Sequence, residues 1–571
     1  MDARRRVRPH GRVYMLRQGS KVTGAKLVID TLRAAGVDTV FSLSGNQIMP
    51  LYDACIDAGV RIVHVRHEAA AVHMADAWAQ LTGCIGVALL TAGPGLVNGL
   101  APLFAARHAE SPVLLVSGDS PLDADGTGAF QELALTQVTA PLVKQARRAL
   151  KAGDLVREVG QAIETALSGR PGPVHLAVPF DLLRREVPVQ RGAAGFPQVR
   201  RITPLARADA EDIVRRIARA RAPVLLAGPL LNRSRAAGLT ELAARALAAP
   251  VVAMESPRGL RDPALGTFST VLAEADLVVL VGKVPDFSLG VGGTLPFGAD
   301  AEVVAIDPEA AMLERARRLF GSRLRLAVRA DADAALRTLA ERALPAGRGE
   351  WLRRVDASLR RRTLLDERPA QAGIGPQDIC AAVQKAIDGA REPILICDGG
   401  EFGQWAQALC TAPSRLINGL SGSIGGGLCH AIAARLARPH AGVFLMSGDG
   451  SAGFHLAEFE TAARENAPFV AVVGNDARWN AEHQIQLRDY GPERLIGCQL
   501  SRAARYDLAA AGLGGHGAHV TTAADLDEAL VAAVASGLPA CVNVDMAGLP
   551  APVFVDRGQG AAPPRGPGGH P

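Results

Sequence analysis

The sequence has few aromatic residues, no closely paired cysteines and no apolar run long enough to cross a membrane. Phe, Trp and Tyr make up only 4% of the 571 residues, and no basic stretch in the body of the chain is interleaved with them. A nucleic-acid-binding surface is therefore not expected. The longest apolar runs fall short of the roughly 18 residues that a transmembrane helix needs, so no membrane association is expected. The Arg-rich start also lacks the apolar segment and cleavage site of a signal peptide.

The eight cysteines are scattered along the chain and form no C-x-x-C pair, and the histidines do not cluster at zinc-binding spacing. This pattern is typical of a protein of the reducing cytoplasm rather than of a disulfide framework or a structural zinc site. The cysteines are Cys55, Cys84, Cys380, Cys397, Cys410, Cys429, Cys498 and Cys541.

The composition is that of a folded chain with several cores. Hydrophobic residues make up 48% and charged residues 21%, which excludes intrinsic disorder for the chain as a whole. The net charge is +5, but most of it comes from arginines in residues 1–12, so the body is close to neutral. We predict a disordered basic leader over residues 1–19 and a disordered Gly/Pro tail over residues 558–571.

Short runs of Val, Leu and Ile alternate with longer stretches of helical period throughout the chain, for example at 85–90, 113–117 and 277–281. Fully apolar strands of this kind are typical of parallel sheets covered by helices on both faces. We therefore predict an α/β protein with three doubly wound parallel-sheet domains. Pro-, Gly- and Arg-rich breaks separate them, and the predicted domains span residues 20–185, 200–343 and 375–550.

The strongest chemical signal lies in the third domain. The apolar run 443–446 leads into Gly448-Asp449-Gly450-Ser451, and the run 469–473 ends in Gly474-Asn475-Asp476. Strands one crossover apart would bring both acids to the carboxyl edge of one sheet. The glycines let backbone amides approach a phosphate, but two carboxylates alone would repel one. A divalent cation between them resolves this conflict, and an all-oxygen ligand set suits Mg²⁺.

These motifs resemble the thiamine-diphosphate enzymes of the acetolactate synthase, benzaldehyde lyase and oxalyl-CoA decarboxylase group. In that group the cofactor motif is GDG followed one crossover later by Asn-Asn or Asn-Asp. The resemblance covers residues 22–550 in the order of the group's pyrimidine-binding, central and diphosphate-binding domains. It implies that thiamine diphosphate and Mg²⁺ are the cofactors.

In the first domain, Arg66-His67-Glu68-Ala69-Ala70-Ala71 looks like the group's glutamate motif. The resemblance implies that Glu68 hydrogen-bonds the N1′ nitrogen of the aminopyrimidine, which favours the imino tautomer that removes the thiazolium C2 proton. The stretch 91–95 resembles the TSGPG turn near the pyrimidine, and 128–132 resembles the AFQE segment. The implied catalytic residues are Glu68 and Gln131, and the implied cofactor contacts of this domain are Gly93, Pro94 and Asn98.

In the third domain, Gly422-Ser423-Ile424-Gly425 matches the GSMG turn, where a bulky apolar side chain holds the cofactor in its V shape. Here Ile424 replaces the commoner Met, and its β-branched side chain is stiff enough to serve as a wedge. The implied Mg²⁺ ligands are Asp449, Asp476 and the backbone carbonyl of Arg478. The implied cofactor-binding residues of this domain are Gly422, Ser423, Ile424, Gly448, Asp449, Gly450, Ser451, Asp476 and Trp479.

The substrate pocket matches no single member of the group. The stretch 479–484 looks most like benzaldehyde lyase, but the two active-site histidines of that enzyme fall on Ser44 and Gln47, so its acid–base chemistry does not transfer. The loop 41–53 looks more like that of acetolactate synthase, with polar residues in place of its Pro, Gly and Ala. The expected substrate-lining residues are Ser44, Gln47, Phe130, Gly403, Ala481, His483 and Ile485.

The central domain gives no clear cofactor signal. The stretch 282–289 lacks both arginines of the flavin-binding turn of biosynthetic acetolactate synthases, so FAD is not expected. Arg258 is a candidate contact for the nucleotide of a CoA substrate, and the alternative is an exposed surface arginine.

The resemblance implies an enzyme that makes or breaks a carbon–carbon bond next to a carbonyl. We expect acetolactate synthase-like decarboxylation and ligation of a 2-oxo acid. Lyase action on an acyloin, or on a 2-hydroxyacyl-CoA or oxalyl-CoA, is the alternative, and an inactive cofactor-binding relative is a third possibility. A nicotinamide dehydrogenase is disfavoured, because no early G-x-G-x-x-G opens a helix. In this group each cofactor site is shared between subunits, which implies at least a homodimer and favours a tetramer.

Overall fold

The structure is a computed structural model, and it describes residues 21–188, 200–290, 295–364 and 373–555. The predicted leader 1–19 and tail 558–571 lie outside the described residues. The prediction of an α/β protein with three parallel sheets is confirmed. Across the described residues, none of the helices combines the length and apolarity that a membrane span requires.

The first domain contains a six-stranded parallel sheet and a short antiparallel pair. Its strands are β1 (Lys21–Thr23), β2 (Thr39–Ser42), β3 (Arg61–His64), β4 (Gly86–Leu90), β5 (Val113–Asp119), β6 (Gln145–Arg148), β7 (Val174–Pro179) and β8 (Glu186–Pro188). Its helices are α1 (Gly24–Ala34), α2 (Met49–Ala58), α3 (Glu68–Thr82), α4 (Pro94–Asn98), α5 (Leu100–His108), α6 (Leu135–Thr139), α7 (Leu155–Leu167) and α8 (Phe180–Arg184).

The second domain is built on a five-stranded parallel sheet. Its strands are β9 (Pro223–Ala227), β10 (Val251–Ala253), β11 (Leu277–Val281), β12 (Glu302–Asp307) and β13 (Leu324–Arg329). Its helices are α9 (Arg207–Arg219), α10 (Arg233–Leu247), α11 (Phe268–Leu272), α12 (Ala310–Phe320), α13 (Ala332–Glu341) and α14 (Gly349–Arg360).

The third domain has a second six-stranded parallel sheet. Its strands are β14 (Ile394–Asp398), β15 (Ser414–Ile417), β16 (Val443–Gly448), β17 (Val470–Asn475), β18 (His516–Val520) and β19 (Ala540–Asp545). Its helices are α15 (Pro376–Asp388), α16 (Glu401–Leu409), α17 (Gly427–Ala437), α18 (Asp449–Ala452), α19 (Glu458–Arg464), α20 (Asn480–Tyr490), α21 (Tyr506–Gly512) and α22 (Leu526–Ala535).

The two six-stranded sheets share one topology. The strand orders are β3-β2-β4-β5-β7-β6 and β15-β14-β16-β17-β19-β18, and the central sheet runs β10-β9-β11-β12-β13. Strands such as β9, β11 and β14 are buried along their whole length, because helices cover both faces. In each sheet the loops that follow the strands gather at one carboxyl edge, where ligands bind in open α/β folds.

The first and third domains share a hydrophobic core. Helix α3 is buried along most of its length and packs against α17, and both helices are rich in alanine, which lets them approach closely. Residues of both domains, including Val72, Met74, Ile432 and Leu445, belong to the same apolar cluster. This packing fixes the start of α3, where Glu68 lies, relative to the third sheet.

Candidate active site

Glu68 is the first residue of α3 and lies at the carboxyl edge of the first sheet. His67 precedes it in extended conformation and caps the helix, since its Nδ1 accepts a hydrogen bond of 3.1 Å from the amide of Ala69. The side chain of Asn98 donates to Glu68 Oε2 at 2.9 Å. Among the described residues, no side chain or backbone group donates to Glu68 Oε1. The carboxylate is therefore held by one oxygen and offers the other to a ligand.

Thr91 connects Glu68 to the loop after β2. Its hydroxyl donates to Gln47 Oε1 at 2.7 Å. Two glycines pack directly on its side chain, because a Cβ on Gly45 or Gly95 would lie 2.4 or 2.6 Å from it. A Cβ on Gly95 would also lie 3.5 Å from Glu68 Oε1. The structure thus brings Gln47 and Glu68 to one edge, with Ser44 exposed beside Gly45.

Gln131 stands in a strained backbone conformation next to this group. Its φ is 61°, in the left-handed region that residues other than glycine rarely adopt. A Cβ on Gly93 would lie 2.9 Å from the Cβ of Gln131, so the loop packs against the turn that starts α4 at Pro94. The Glu132 carboxylate accepts hydrogen bonds from three amides of residues 126–129 and closes the loop. Phe130 extends from its tip, 72% exposed.

Two buried carboxylates face each other at the carboxyl edge of the third sheet. Asp449 follows β16, Asp476 follows β17, and these strands are neighbours. Burial raises the pKa of Asp449 to about 6, although backbone amides of Gly450 and Arg478 oppose the shift. Burial and the charge of Asp449 raise the pKa of Asp476 to about 7, and Arg478 opposes this shift. Asp449 Oδ2 is buried and has no hydrogen-bond partner within the part of the chain that the structure describes.

This arrangement fits a bound cation. The charge of Arg478 compensates the two buried, mutually repelling carboxylates only in part, since the pKa values of both remain raised and one oxygen has no partner among the described residues. The described residues contain no group of three or more His, Cys, Asp or Glu side chains arranged to hold a metal. An ion at Asp449 and Asp476 would therefore complete its shell with backbone oxygens, waters or phosphate, as Mg²⁺ commonly does.

Around these carboxylates the backbone forms an open cradle. A Cβ on Gly448 would meet no atom within 4 Å, whereas one on Gly450 would lie 2.5 Å from the ring of Trp479. A Cβ on Gly399, at the end of β14, would lie 2.5 Å from Ser451 Oγ. Gly450 is therefore required by the packing of Trp479, and Gly448 leaves space at the edge.

The sequence analysis missed Asp398, the last residue of β14. Its buried carboxylate accepts hydrogen bonds from the amide of Gly425 at 3.0 and 3.1 Å and from the amide of Gly427 at 2.7 Å. The side chain of Asn418 donates to Asp398 Oδ1 at 2.8 Å. Asp398 thus holds the turn that contains Gly422, Ser423 and Ile424. An acid at the end of a buried strand, like Asp449, was the signal that could have identified it.

A second missed residue, Glu458 of α19, joins the two sheets. Its carboxylate accepts a hydrogen bond of 2.9 Å from the amide of Arg66, just before Glu68. Three buried histidines lie nearby between the domains: the rings of His73 and His430 are 5.6 Å apart, and those of His73 and His455 are 5.4 Å apart. His455 Nδ1 donates to the carbonyl of Gly425 at 2.7 Å, next to Ile424.

Helix α20 places three of the expected substrate residues beside the cradle. Ala481 packs against Gly400, Ile485 is 43% exposed, and His483 is partly exposed, with a pKa that burial and the charge of Arg478 lower. Gly403 lies apart from them inside α16, where a Cβ would be 3.0 Å from the carbonyl of Asp398.

Arg258 connects the central domain to this edge. Its guanidinium pairs with Glu401 of α16 at 2.8 Å, and Pro257 beside it lies against the turn at Gly422, where a Cβ would be 3.8 Å away. Arg258 is exposed, in agreement with the alternative of a surface arginine, and its charge is already paired with Glu401.

Within the described ranges, no hydrogen bond joins Glu68 or Asn98 to Asp449, Asp476 or Ile424. In this chain the two halves of the candidate site, one on the first sheet and one on the third, are linked by the α3–α17 packing and by Glu458, and not by hydrogen bonds between these residues.

Comparison with known proteins identifies the family. Residues 22–139, 210–339 and 398–544 match the N-terminal TPP binding, central and C-terminal TPP binding domains of thiamine pyrophosphate enzymes. The chain is 32% identical over 539 residues to acetolactate synthase large subunit IlvG of Mycobacterium tuberculosis, covering 91% of this chain and 95% of the relative.

Two animal proteins are about equally similar. Identity to 2-hydroxyacyl-CoA lyase 2 of Caenorhabditis elegans is 31%, covering 93% of this chain and 90% of the relative. Identity to the human protein of that name is 30%, covering 86% and 84%. Matches to all three domains and to full-length relatives show that this chain belongs to the thiamine pyrophosphate (thiamine diphosphate) enzymes of the acetolactate synthase and 2-hydroxyacyl-CoA lyase group.

Proposed function

We propose that this enzyme uses thiamine diphosphate and Mg²⁺ to cleave or form a carbon–carbon bond next to the carbonyl of a 2-oxo acid, as an acetolactate synthase-like carboligase. The observation that carries the proposal is the buried, unpartnered Asp449 Oδ2 beside Asp476, which fits a cation that also binds a diphosphate. When bound, thiamine diphosphate would supply the nucleophilic carbon and the electron sink for bond cleavage or formation next to the carbonyl.

We assign Asp449, Asp476 and the Arg478 carbonyl to the cation, and Gly448, Gly450 and Ser451 to the diphosphate. Ser423 and Trp479 border the same cradle. The Ile424 side chain, on the turn fixed by Asp398, is suited to bracing the cofactor between its two rings. The assigned contacts of the aminopyrimidine side are Glu68, Gly93, Pro94 and Asn98.

Glu68 holds the proton that controls cofactor activation. Because Asn98 donates to Oε2, the free Oε1 can share a proton with the ring nitrogen N1′. Gln131 then presents its amide to the substrate; its Oε1 is buried and has no partner in the described protein. Phe130, Ala481 and Ile485 would exclude water from the reacting carbonyl.

The lack of any hydrogen bond, among the described residues, between the Glu68–Asn98 pair and Asp449 or Asp476 is consistent with a site shared between subunits. We propose a homodimer as the minimum unit, with Glu68 of one subunit facing Asp449 of the other, and a tetramer of two dimers as the full assembly.

We propose that the three domains span residues 20–185, 200–343 and 375–550. Free thiols at all eight cysteines support a reducing cytoplasm as the location.

The second candidate function is lyase action on a 2-hydroxyacyl-CoA or an acyloin. The near-equal similarity to proteins named 2-hydroxyacyl-CoA lyase 2 favours it. Arg258 is engaged by Glu401, so this residue gives no support to a CoA site. The organised Glu68–Asn98 pair argues against an inactive relative.

The proposal is tested by incubating purified protein with thiamine diphosphate, Mg²⁺ and pyruvate and following CO₂ and products by NMR. Acetolactate or acetaldehyde would establish 2-oxo acid decarboxylation. If calorimetry shows cofactor binding but pyruvate stays intact, the donor is something other than pyruvate, and acetoin and 2-hydroxyacyl-CoA thioesters are tested next. A protein that binds no thiamine diphosphate would contradict the assignment of the site.

A further inference from the structure

Ser44 and His64 lie side by side at the edge where β2 and β3 end. The distance between His64 Nε2 and Ser44 Oγ is 3.3 Å. Ser44 precedes Gly45, which packs on Thr91, and Thr91 in turn contacts Gly95 beside Glu68. The Ser44 hydroxyl is exposed on the same edge as the Glu68 carboxylate, and the His64 ring lies half-buried behind it.

The surroundings of His64 keep its ring neutral near pH 7. Burial lowers its pKa, as do the positive charges of Arg464 and Arg66, while Glu460 and Glu465 oppose them more weakly. The guanidinium of Arg464, on α19, also donates a hydrogen bond to the backbone carbonyl of His64. A neutral ring with the proton on Nδ1 offers the Nε2 lone pair to the Ser44 hydroxyl.

Apart from Glu68, the other polar side chains assigned to this edge cannot accept or release the proton of the substrate hydroxyl at neutral pH. Gln47, Asn98 and Gln131 end in amides, which donate and accept hydrogen bonds but do not ionise. Glu68 is committed to the cofactor by the proposed function. Cleavage of a 2-hydroxy ketone, or its formation, nevertheless requires a proton to leave or reach the hydroxyl oxygen.

From this geometry we propose that Ser44 and His64 form the proton relay for the substrate oxygen, a role that rests on the proposed function and deepens it. In the cleavage direction the substrate hydroxyl gives its proton to Ser44 Oγ, and the Ser44 proton passes to His64 Nε2. In the ligation direction both transfers reverse, so the proton is returned. Ser44 is the catalytic residue, and His64 acts through it.

The test compares S44A, H64Q and the S44A/H64Q double variant with wild type, using pyruvate or acetoin, whichever wild type turns over. Glutamine at 64 can hydrogen-bond Ser44 but cannot accept its proton. We expect kcat/KM to fall by about 10²- to 10⁴-fold in each single variant, as for loss of a general base. The double variant should lose no more than the single ones, because the two groups act as a unit.

The pH profile separates a relay from a structural role. Since His64 must be neutral, wild-type kcat/KM should fall toward acid with an apparent pKa below 6.5, and this acid limb should be absent in H64Q. Calorimetry should show unchanged thiamine diphosphate binding in H64Q, and exchange of the cofactor C2 proton should continue, because Glu68 is intact. H440Q, at an exposed histidine remote from the site, is the matched control.

The outcomes distinguish the relay from the proposed function. If wild type turns over substrate and H64Q retains more than half of its kcat/KM, or keeps the acid limb, the relay is wrong and the proposed function stands. If the acid limb of the kcat/KM profile is lost in H483Q instead, His483 of α20 is the proton acceptor and the relay is wrong. A wild-type protein without C2 exchange or turnover would overturn the proposed function and the relay together.

Discussion

Asn98 Nδ2 lies 2.9 Å from Glu68 Oε2 and holds that oxygen, whereas the other carboxylate oxygen has no donor among the described residues. The two residues are 30 positions apart in the chain and come together because α4 begins at the carboxyl edge of the same sheet as α3. A surface glutamate on a helix would not be held in this way.

Glu68→Gln is therefore expected to bind thiamine diphosphate normally and to lose about 10²- to 10⁴-fold in kcat. The glutamine keeps the hydrogen bond with Asn98 but cannot share a proton with the cofactor ring. Exchange of the C2 proton, measured by NMR after acid quench, should slow in parallel. Glu186→Gln, at an exposed position of β8, is the control, and wild-type exchange in Glu68→Gln would contradict the role of Glu68.

Asp476→Ala is expected to abolish cofactor binding. Removing one of two carboxylates lowers the affinity for the cation, and without the cation the diphosphate faces the remaining negative charge of Asp449. Calorimetry with thiamine diphosphate should show no heat in the variant, and EDTA should release cofactor from wild type. The exposed Asp489→Ala on α20 should bind as wild type does. Cofactor binding by Asp476→Ala in the presence of EDTA would refute the cation assignment.

Asp398→Asn is expected to loosen the turn that holds Ile424. One carboxylate oxygen would become an NH₂ group, so that a donor faces the amide of Gly425 or Gly427; leaving a buried donor unpaired costs about 1–3 kcal/mol. We expect weaker cofactor binding by calorimetry and faster hydrogen exchange at residues 425–427 in cofactor-free protein. Exchange rates equal to those of wild type would show that the carboxylate does not hold this turn.

The histidines between the first and third domains predict acid sensitivity. Burial lowers the pKa values of His73, His430 and His455, so the unfolded chain binds protons below pH 6.5 that the folded chain does not. Stability is therefore full above about pH 6.5 and falls on acidification, by up to about 1.4 kcal/mol per pH unit for each histidine. His73→Gln should reduce the slope between pH 6.5 and 5 in urea unfolding. An unchanged slope, or the same reduction in His440→Gln, would argue against this origin.

The fold and the placement of Asp449 and Asp476 on neighbouring strands were predictable because they depend on local pattern. Fully apolar runs such as Leu277–Val281 became buried strands with the expected bounds, because a strand covered on both faces is recognisable from its own continuous apolar run. The pair Asp449 and Asp476 was predicted to lie on neighbouring strands for the same reason: one crossover separates them.

The supporting residues could not be predicted, because their partners are distant in sequence. Asp398 acts on amides of residues 425 and 427, and Glu458 on the amide of Arg66, 392 positions away. His64 gave no signal, since its role depends on a serine that follows a different strand. For Arg258, the alternative of an exposed residue agrees with the structure, but its ion pair with Glu401, 143 positions away, was not predictable.

Mixing two inactive variants tests whether the site is shared between subunits. If Glu68 of one subunit completes the half-site of the other, a heterodimer of Glu68→Gln and Asp449→Ala chains contains one site with both wild-type residues and one with neither. Random pairing makes half of the dimers mixed, so co-expression should restore about a quarter of wild-type activity. A site built within one chain would stay inactive in every combination. Activity should be measured on heterodimers purified with two different tags, and their failure to exceed the single variants would show that each subunit uses its own Glu68.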